Sequence, residues 1–469
     1  MADRLTAMVM ASPGTIVVAC CATLVLLVLS ICLHTKPSKG KSRHLTRQLS
    51  GMGYTTLLTQ VETNQSILFS IITLDKIVSK DQLANQFGPR MATDFFVRFR
   101  SCVVGRAFVL VDAFDVAHHL TQHAPLGPED TVLLVAESLY NKPLDMGQPL
   151  WHVTIVHEQG DRKKTHLLWR THHCLGDGQS MGMVLTKVFD VTHPPQALPA
   201  PVPVEGSAQR SVWHQLAYVA WSVAIYSHKI ARLFLVDEST CFFKQPGSVQ
   251  KHLSVSVALR VDVTKRVGKA LHASINDVML SCVAGALRQM LPDRAHHRPD
   301  LFVRAGIPIS MRSPAAPFPH TSNLFSSLLV DLPLGEVDSI KRTQMVTAAM
   351  HQAKTSLEKV FTLALNRLLT VFPDAINIFV THAFTRRVSV AITNVRGPDM
   401  RLSLGDTTVV GMLGFVPPPP GCNVGIAITS MQNALVVTVA VDKSLDAVQL
   451  RDAIESEFAA LEVSVTARM

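Results

Sequence analysis

Residues 164 to 191, KTHLLWRTHHCLGDGQSMGMVLTKVFDV, change their hydrophobic period in the middle. The first part, KTHLLWR, has the composition of a strand. From Asp177 onward Met181, Leu185 and Val188 fall at helical spacing. Between them Gly176-Asp177-Gly178 predicts a tight turn, with the glycines easing the backbone and Asp177 capping the helix. A strand that runs through one short turn into a helix points to an α/β architecture. It also fixes what the turn can present. Adjacent residues at a strand end project to opposite faces, so only one of His172 and His173 can face a given cavity.

An imidazole has an ordinary pKa near 6.5, so its neutral form can accept a proton at cytosolic pH. One histidine on such a turn can take the proton from an alcohol while the oxygen attacks an activated acyl group. The chain has no G-x-S-x-G elbow and no Cys–His arrangement that suggests a covalent nucleophile, so direct transfer fits better than a serine-type triad. Against this stands polar surface as the ordinary role of paired histidines. The chain has 20 histidines and two further adjacent pairs, His118-His119 and His296-His297. What sets the third pair apart is the full H-H-x-x-x-D-G pattern at a strand-to-helix turn. His172, His173, Cys174 and Asp177 are metal-ligand types, but two of them project oppositely and H-E-x-x-H is absent, so no metal is expected.

At 469 residues the chain is long enough for two lobes. The first runs from 51 to 192, with strands expected in FRSCVVGRAFVLVD and LWHVTIVHE. The second runs from 251 to 469. It has an alternating strand LSVSVALRVDV, helices in NDVMLSCVAGALRQML and SIKRTQMVTAAMHQAKTSLEKVF, a strand in RAGIPISMR, and a hairpin in VGIAITSMQNALVVTVAVD. A last helix aligns Leu450, Ile454, Phe458 and Leu461. Residues 193–250 join the lobes through a proline-rich linker, HPPQALPAPVPVEGS, and an apolar helix over 211–236. That helix reads as core or as a segment lying against a bilayer. Hydrophobic residues make up 48% of the chain and charged ones 17%, which argues against disorder. The net charge of +9 suits an anionic membrane face or an anionic cofactor, and no long basic run alternates with aromatics as nucleic-acid binding would want.

Residues 15–33, TIVVACCATLVLLVLSICL, carry no charge over a length of about 28 Å as a helix, close to the roughly 30 Å hydrocarbon core of a bilayer. They predict an uncleaved anchor. Arg4 alone precedes it, whereas Lys36, Lys39, Lys41, Arg43 and Arg47 follow, so the positive-inside rule puts residues 1–14 in the lumen and the large body in the cytosol, with 34–50 as a basic tether. The endoplasmic reticulum is the default membrane for such an anchor. Eight cysteines without C-x-x-C spacing fit a reducing compartment. Cys20, Cys21 and Cys32 read as small hydrophobes within the anchor or as palmitoylation sites.

H-H-x-x-x-D-G is the signature of the superfamily of CoA-dependent acyltransferases and peptide-synthetase condensation domains. The surrounding residues narrow the resemblance. NKPLDMGQPLWHVTIV, SINDVML, IPISMR, SNLFSSLLVDLPLG, TNVRGP and GFVPPPPGCNVGIAI resemble, in order, segments of the bifunctional wax ester synthase/diacylglycerol acyltransferase family, over about residues 54 to 465. The D-F-G-W-G motif of plant BAHD acyltransferases is absent. The resemblance implies a two-lobed CoA-dependent acyltransferase fold with mixed sheets flanked by helices and a tunnel between the lobes. To this the chain adds one N-terminal transmembrane helix, absent from typical bacterial members. It implies transfer of a fatty acyl group from acyl-CoA, with no bound cofactor, to a long-chain alcohol or diacylglycerol. A non-catalytic lipid-binding protein, or an enzyme for another acceptor such as a sterol, are the alternatives. His173 would be the general base, His172 its support, and Asp177 structural, paired with Arg312 or Arg396 beside Gly178. Asn276 is expected near the substrate pocket, although Ser274 and Asp277 also suit a helix cap. Thr393 and Asn394, where relatives often have Ser-Asn, are candidates for oxyanion stabilisation. Ser310 and Asn323 read as structural turn residues.

Overall fold

The computed structural model describes residues 46–127, 129–158, 163–192, 211–292, 298–313, 320–397, 400–431 and 433–468. The expected anchor at 15–33, the expected tether up to residue 45 and the proline-rich linker at 193–207 lie outside the described residues. Among the described residues no single helix is long and apolar enough to cross a membrane.

Two seven-stranded mixed sheets organise the molecule. The first runs Leu120–Gln122, Trp151–Glu158, Lys164–His172, Ile67–Leu74, Thr407–Phe415, Arg401–Leu404 and Asp190–Thr192. Only its outermost pair, Leu120–Gln122 with Trp151–Glu158, is parallel. The second runs Leu259–Arg260, Ala434–Asp442, Val424–Met431, Val390–Arg396, Phe302–Ser310 and Phe325–Pro333, with Lys251–Val255 also paired to Ala434–Asp442. Its centre is parallel: Val390–Arg396 lies between Phe302–Ser310 and Val424–Met431. Two strands from beyond residue 400 thus complete the sheet begun by the amino-terminal half. A small third sheet pairs Thr46–Gln48 with the Ser101–Val104/Ala107–Leu110 hairpin, which turns at Gly105 with φ 58.

Each large sheet has its own apolar core. In the second lobe Val303, Ala305, Val390, Ile392, Val424 and Ile426 meet Ile275–Gln289, whose residues from Asp277 to Leu287 are all buried. That is why NDVMLSCVAGALRQML shows no polar face: neighbouring helices Ser339–Thr355 and Ala447–Thr466 cover its other sides. Leu450, Ile454, Phe458 and Leu461 all point into this core.

Three expectations change. SIKRTQMVTAAMHQAKTSLEKVF is two helices, Ser339–Thr355 and Glu358–Leu369, because Ser356 is extended and the buried Glu358 turns to meet Lys229 Nζ at 2.5 Å and the Leu329 N–H. LSVSVALRVDV is a strand only to Val255 and again at Leu259–Arg260, and from Val261 it is helix. The apolar helix, Val212–Leu235, is divided in character. Tyr226, Ser227, Ile230 and Leu233 are buried, whereas Val212, Trp213, Leu216 and Trp221 are exposed.

Candidate active site

The strand Lys164–His172 ends where the sequence predicts, and the helix Gly178–Val188 starts with Asp177 as its cap, Oδ1 accepting from Ser180 N at 3.0 Å. Neither turn glycine has a positive φ. They are small for space instead. A Cβ on Gly176 would lie 2.6 Å from Ser180 Cβ, and one on Gly178 would meet Val395 Cγ2 at 3.4 Å.

The two histidines face opposite ways. His172 is buried, its Nδ1 accepts the Cys174 N–H at 3.1 Å, and its Nε2 therefore carries the proton that it gives to Gln60 Oε1 at 3.1 Å. Burial, with a smaller push from His173, lowers its pKa to about 3. It is a neutral ring with both nitrogens engaged, beside a separate pocket that includes Ile67, Pro143 and Leu144.

His173 borders a cavity of about 190 Å3 between the two large sheets. The walls are Leu68, Phe69 and Ser70 from one lobe, and Pro308, Ile309, Phe325, Thr393 and Ala427 from the other. Phe325 packs on the His173 ring at 5.3 Å between centroids. His173 Nδ1 lies 3.0 Å from Asn323 Oδ1. The orientation of that amide follows from its other end, where Nδ2 donates to the carbonyls of His173 at 2.7 Å and Cys174 at 3.2 Å. Oδ1 can then only accept, so Nδ1 bears the hydrogen and Nε2 is the nitrogen with a free lone pair. Burial lowers the His173 pKa. The Asp177 carboxylate, its own backbone and Asn323 pull the other way without cancelling it. The neutral, proton-accepting form is thus favoured.

Of the two candidate arginines, Arg312 makes the ion pair: Nη1 stands 2.6 Å from Asp177 Oδ2, which also accepts the Leu324 N–H at 2.9 Å. Arg312 Nη2 donates to the Ser322 carbonyl and hydroxyl at 2.7 and 2.9 Å. Arg396 borders the same cavity, as do Gly178 and Asn394. Thr393 and Val395 share the strand face turned to the cavity, and Val390 and Ile392 lie on the opposite face, in the core of the second lobe. Asn276 is not brought to the cavity. It sits in the first turn of Ile275–Gln289, where Ser274 and Asp277 form a complete capping box, and Asp277 lies 3.6 Å from Lys354. The cap explains the Ser-x-x-Asp spacing without a substrate. Asn323, read from the sequence as a turn residue, is hydrogen-bonded to the His173 ring. Ser310, read the same way, also borders the cavity and donates to Gln179 Oε1 at 2.8 Å. Among the described residues no group of three or more His, Cys, Asp or Glu side chains is placed to hold a metal ion.

Residues 98–279 match the wax ester synthase/diacylglycerol acyltransferase catalytic domain, and residues 321–462 match the C-terminal domain of the same family. A probable diacylglycerol O-acyltransferase of Mycobacterium tuberculosis is 24% identical over 381 residues, 76% of this chain and 82% of that protein. Another putative one from the same species is 27% identical over 318 residues, 61% and 66% of the two chains. Among solved structures, the wax ester synthase/diacylglycerol acyltransferase of Marinobacter aquaeolei VT8 has a TM-score of 0.62 at 18% identity, covering 90% of this chain and all (100%) of that one. A trichothecene 15-O-acetyltransferase of Fusarium sporotrichioides gives 0.63 at 10% identity, covering 92% and 97%. The two domain matches together span well over half of the chain, which belongs to the wax ester synthase/diacylglycerol acyltransferase family and is an acyltransferase.

Proposed function

We propose that this chain passes a fatty acyl group from acyl-CoA to a long-chain alcohol, a diacylglycerol, or both, with His173 as the general base. The reading rests above all on the Asn323–His173 hydrogen bond, because it leaves Nε2 as the basic nitrogen of a ring that borders the cavity. In this mechanism Nε2 takes the hydroxyl proton as the acceptor oxygen attacks the thioester carbonyl. The carbonyl oxygen gains negative charge, and Thr393, one of the hydroxyls lining the cavity, is the donor we assign to it. Collapse breaks the C–S bond, and the imidazolium returns its proton to the departing CoA sulfur. The ester forms, free CoA leaves, and His173 is neutral again. His172 holds the turn by its bonds to Cys174 and Gln60, and Asp177 holds it through Arg312.

Acceptor and product of this reaction both partition into lipid. An anchor at 15–33, a lumenal tail and a cytosolic body at the endoplasmic reticulum fit that supply, with acyl-CoA arriving from the cytosol.

The test is product analysis in cells that make no neutral lipid of their own. Wild type and His173→Ala are expressed, a fatty alcohol is fed, and the lipids are separated. Wax ester or triacylglycerol is expected from wild type alone, and their ratio names the acceptor class. Equal product from both chains would remove His173 from the mechanism. A folded, membrane-bound wild type without product would direct the search to other acceptors, such as sterols.

A further inference from the structure

The helix Asp374–Thr385 is amphipathic in the inverted sense. Its polar side chains face the protein: Asp374 accepts from Tyr54 and Arg106 at 2.7 and 2.9 Å, the buried Asn377 donates to Thr55 at 3.4 Å, and His382 Nε2 meets the Thr59 carbonyl at 2.9 Å. Two of its apolar side chains face out, while Phe384 packs on Phe234 at 5.2 Å. Phe379 is 74% exposed and Ile376 43%, and in the preceding turn Val371 is 80% and Phe372 42% exposed. Ile376 and Phe379 are three residues apart on the helix and share one face, and Val371 and Phe372 extend the exposed apolar surface from the turn before it. In water a helix buries its apolar stripe, and a contiguous exposed one marks an interaction surface.

The position of this stripe says what covers it. Arg106, which holds Asp374, also donates to the Thr370 carbonyl at 2.7 Å, and the Leu49 N–H bonds to the Arg106 carbonyl at 2.9 Å. The strand Thr46–Gln48, the first described element, therefore adjoins the start of this helix through one residue. Twelve residues, 34 to 45, separate it from the apolar segment 15–33, a reach of at most about 40 Å. Lys36, Lys39, Lys41 and Arg43 lie in that stretch and suit anionic headgroups. Val104, two residues before Arg106, is exposed as well.

We infer that the outward face of Val371–Phe379 docks on a lipid bilayer, the membrane that holds the anchor, as a second contact made by the folded body. The choice of a bilayer as occupant rests on the proposed anchor at 15–33, while the docking itself is read out separately from the anchor and needs no acyl transfer.

The full chain is reconstituted in vesicles of phosphatidylcholine and phosphatidylglycerol carrying a diazirine on the acyl chain. After illumination the labelled peptides are mapped by mass spectrometry. Label is expected on the peptide holding residues 371–379 and on the one holding 15–33. Ile376→Glu with Phe379→Glu, both on an exposed face, should lose the first label and keep the second, with an unchanged circular dichroism spectrum. A labelled anchor beside an unlabelled helix overturns the docking surface, including when cross-linking shows a second copy or the chain's own amino-terminal segment over it. An undiminished label in the double variant overturns it too. A labelled helix without a labelled anchor supports docking and removes the anchor. Label on neither removes both.

Discussion

At the scale of single residues, one amide decides which nitrogen can accept a proton. Asn323 Nδ2 is committed to two carbonyls, so Oδ1 must accept, and the imidazole tautomer follows. Asn323→Ala should lower kcat by about 10²-fold or more, within the span that positioned general-base catalysis supplies, with KM little changed. The pH profile separates this role from mere support. The folded pKa of His173 is depressed, so the base is neutral above that value and the acid limb of kcat/KM falls below the ordinary histidine value of about 6.5. Asn323→Asp places a carboxylate on Nδ1–H, favours imidazolium, and should move that limb to higher pH. Variants that lose activity equally at every pH, with no shift of the limb, would make Asn323 a structural residue only. The pairing was not legible in the sequence, because 150 residues separate the partners and only the approach of the two lobes joins them. The opposed directions of His172 and His173 were legible, since strand alternation alone dictates them.

At the scale of elements, local rules carried furthest where tertiary partners agreed with them. The strand Lys164–His172, the helix Gly178–Val188 and the hairpin Val424–Met431/Ala434–Asp442 lie where period and turn residues put them. The break at Ser356 was hidden, because the residues on both sides keep helical propensity. It is the buried Glu358, meeting Lys229 from another helix, that redirects the chain. The turn glycines were found for an incomplete reason: what they supply is closeness, not a left-handed backbone. That distinction yields a measurable difference. Gly176→Ala drives a methyl to 2.6 Å from Ser180 Cβ, in the first turn of a helix pinned by Asp177 and by Ser180 Oγ on the Ser322 carbonyl at 2.7 Å. Gly178→Ala makes an ordinary contact with Val395. The first should cost about 1–3 kcal/mol in urea unfolding, as overpacking does, and the second less. Equal costs would show that the turn relaxes freely and that its tightness does not matter.

At the scale of the whole molecule, the site exists only where the two lobes meet. One lobe contributes the strand end and turn, and the other contributes Arg312, Ser322, Asn323 and Phe325. Strands Arg401–Leu404 and Thr407–Phe415 cross over to the first sheet, so that sheet is complete only with both halves of the chain, whereas the second is built entirely from residue 251 onward. The sequence supports two lobes from its alternating elements, but this exchange leaves no local mark, since an edge or joining strand has the same alternation in either sheet. The Asp177–Arg312 ion pair is one of the polar ties across that junction, with both side chains nearly out of solvent. Removing the cation alone leaves a buried carboxylate. Arg312→Ala should therefore cost at the lower end of about 3–5 kcal/mol, because Asp177 keeps the N–H groups of Ser180 and Leu324 as partners. Asp177→Asn with Arg312→Met should restore part of the loss, since no charge is then stranded. Activity should stay low in both, because the same residues, 321 to 324, carry Asn323 to His173. If the lobes unfold together, the urea midpoint falls with an unchanged m-value. A wild-type midpoint in Arg312→Ala would show that the pair guides the turn without holding the lobes. A lower m-value would show that one lobe opens before the other, and that the junction is the weakest part of the structure.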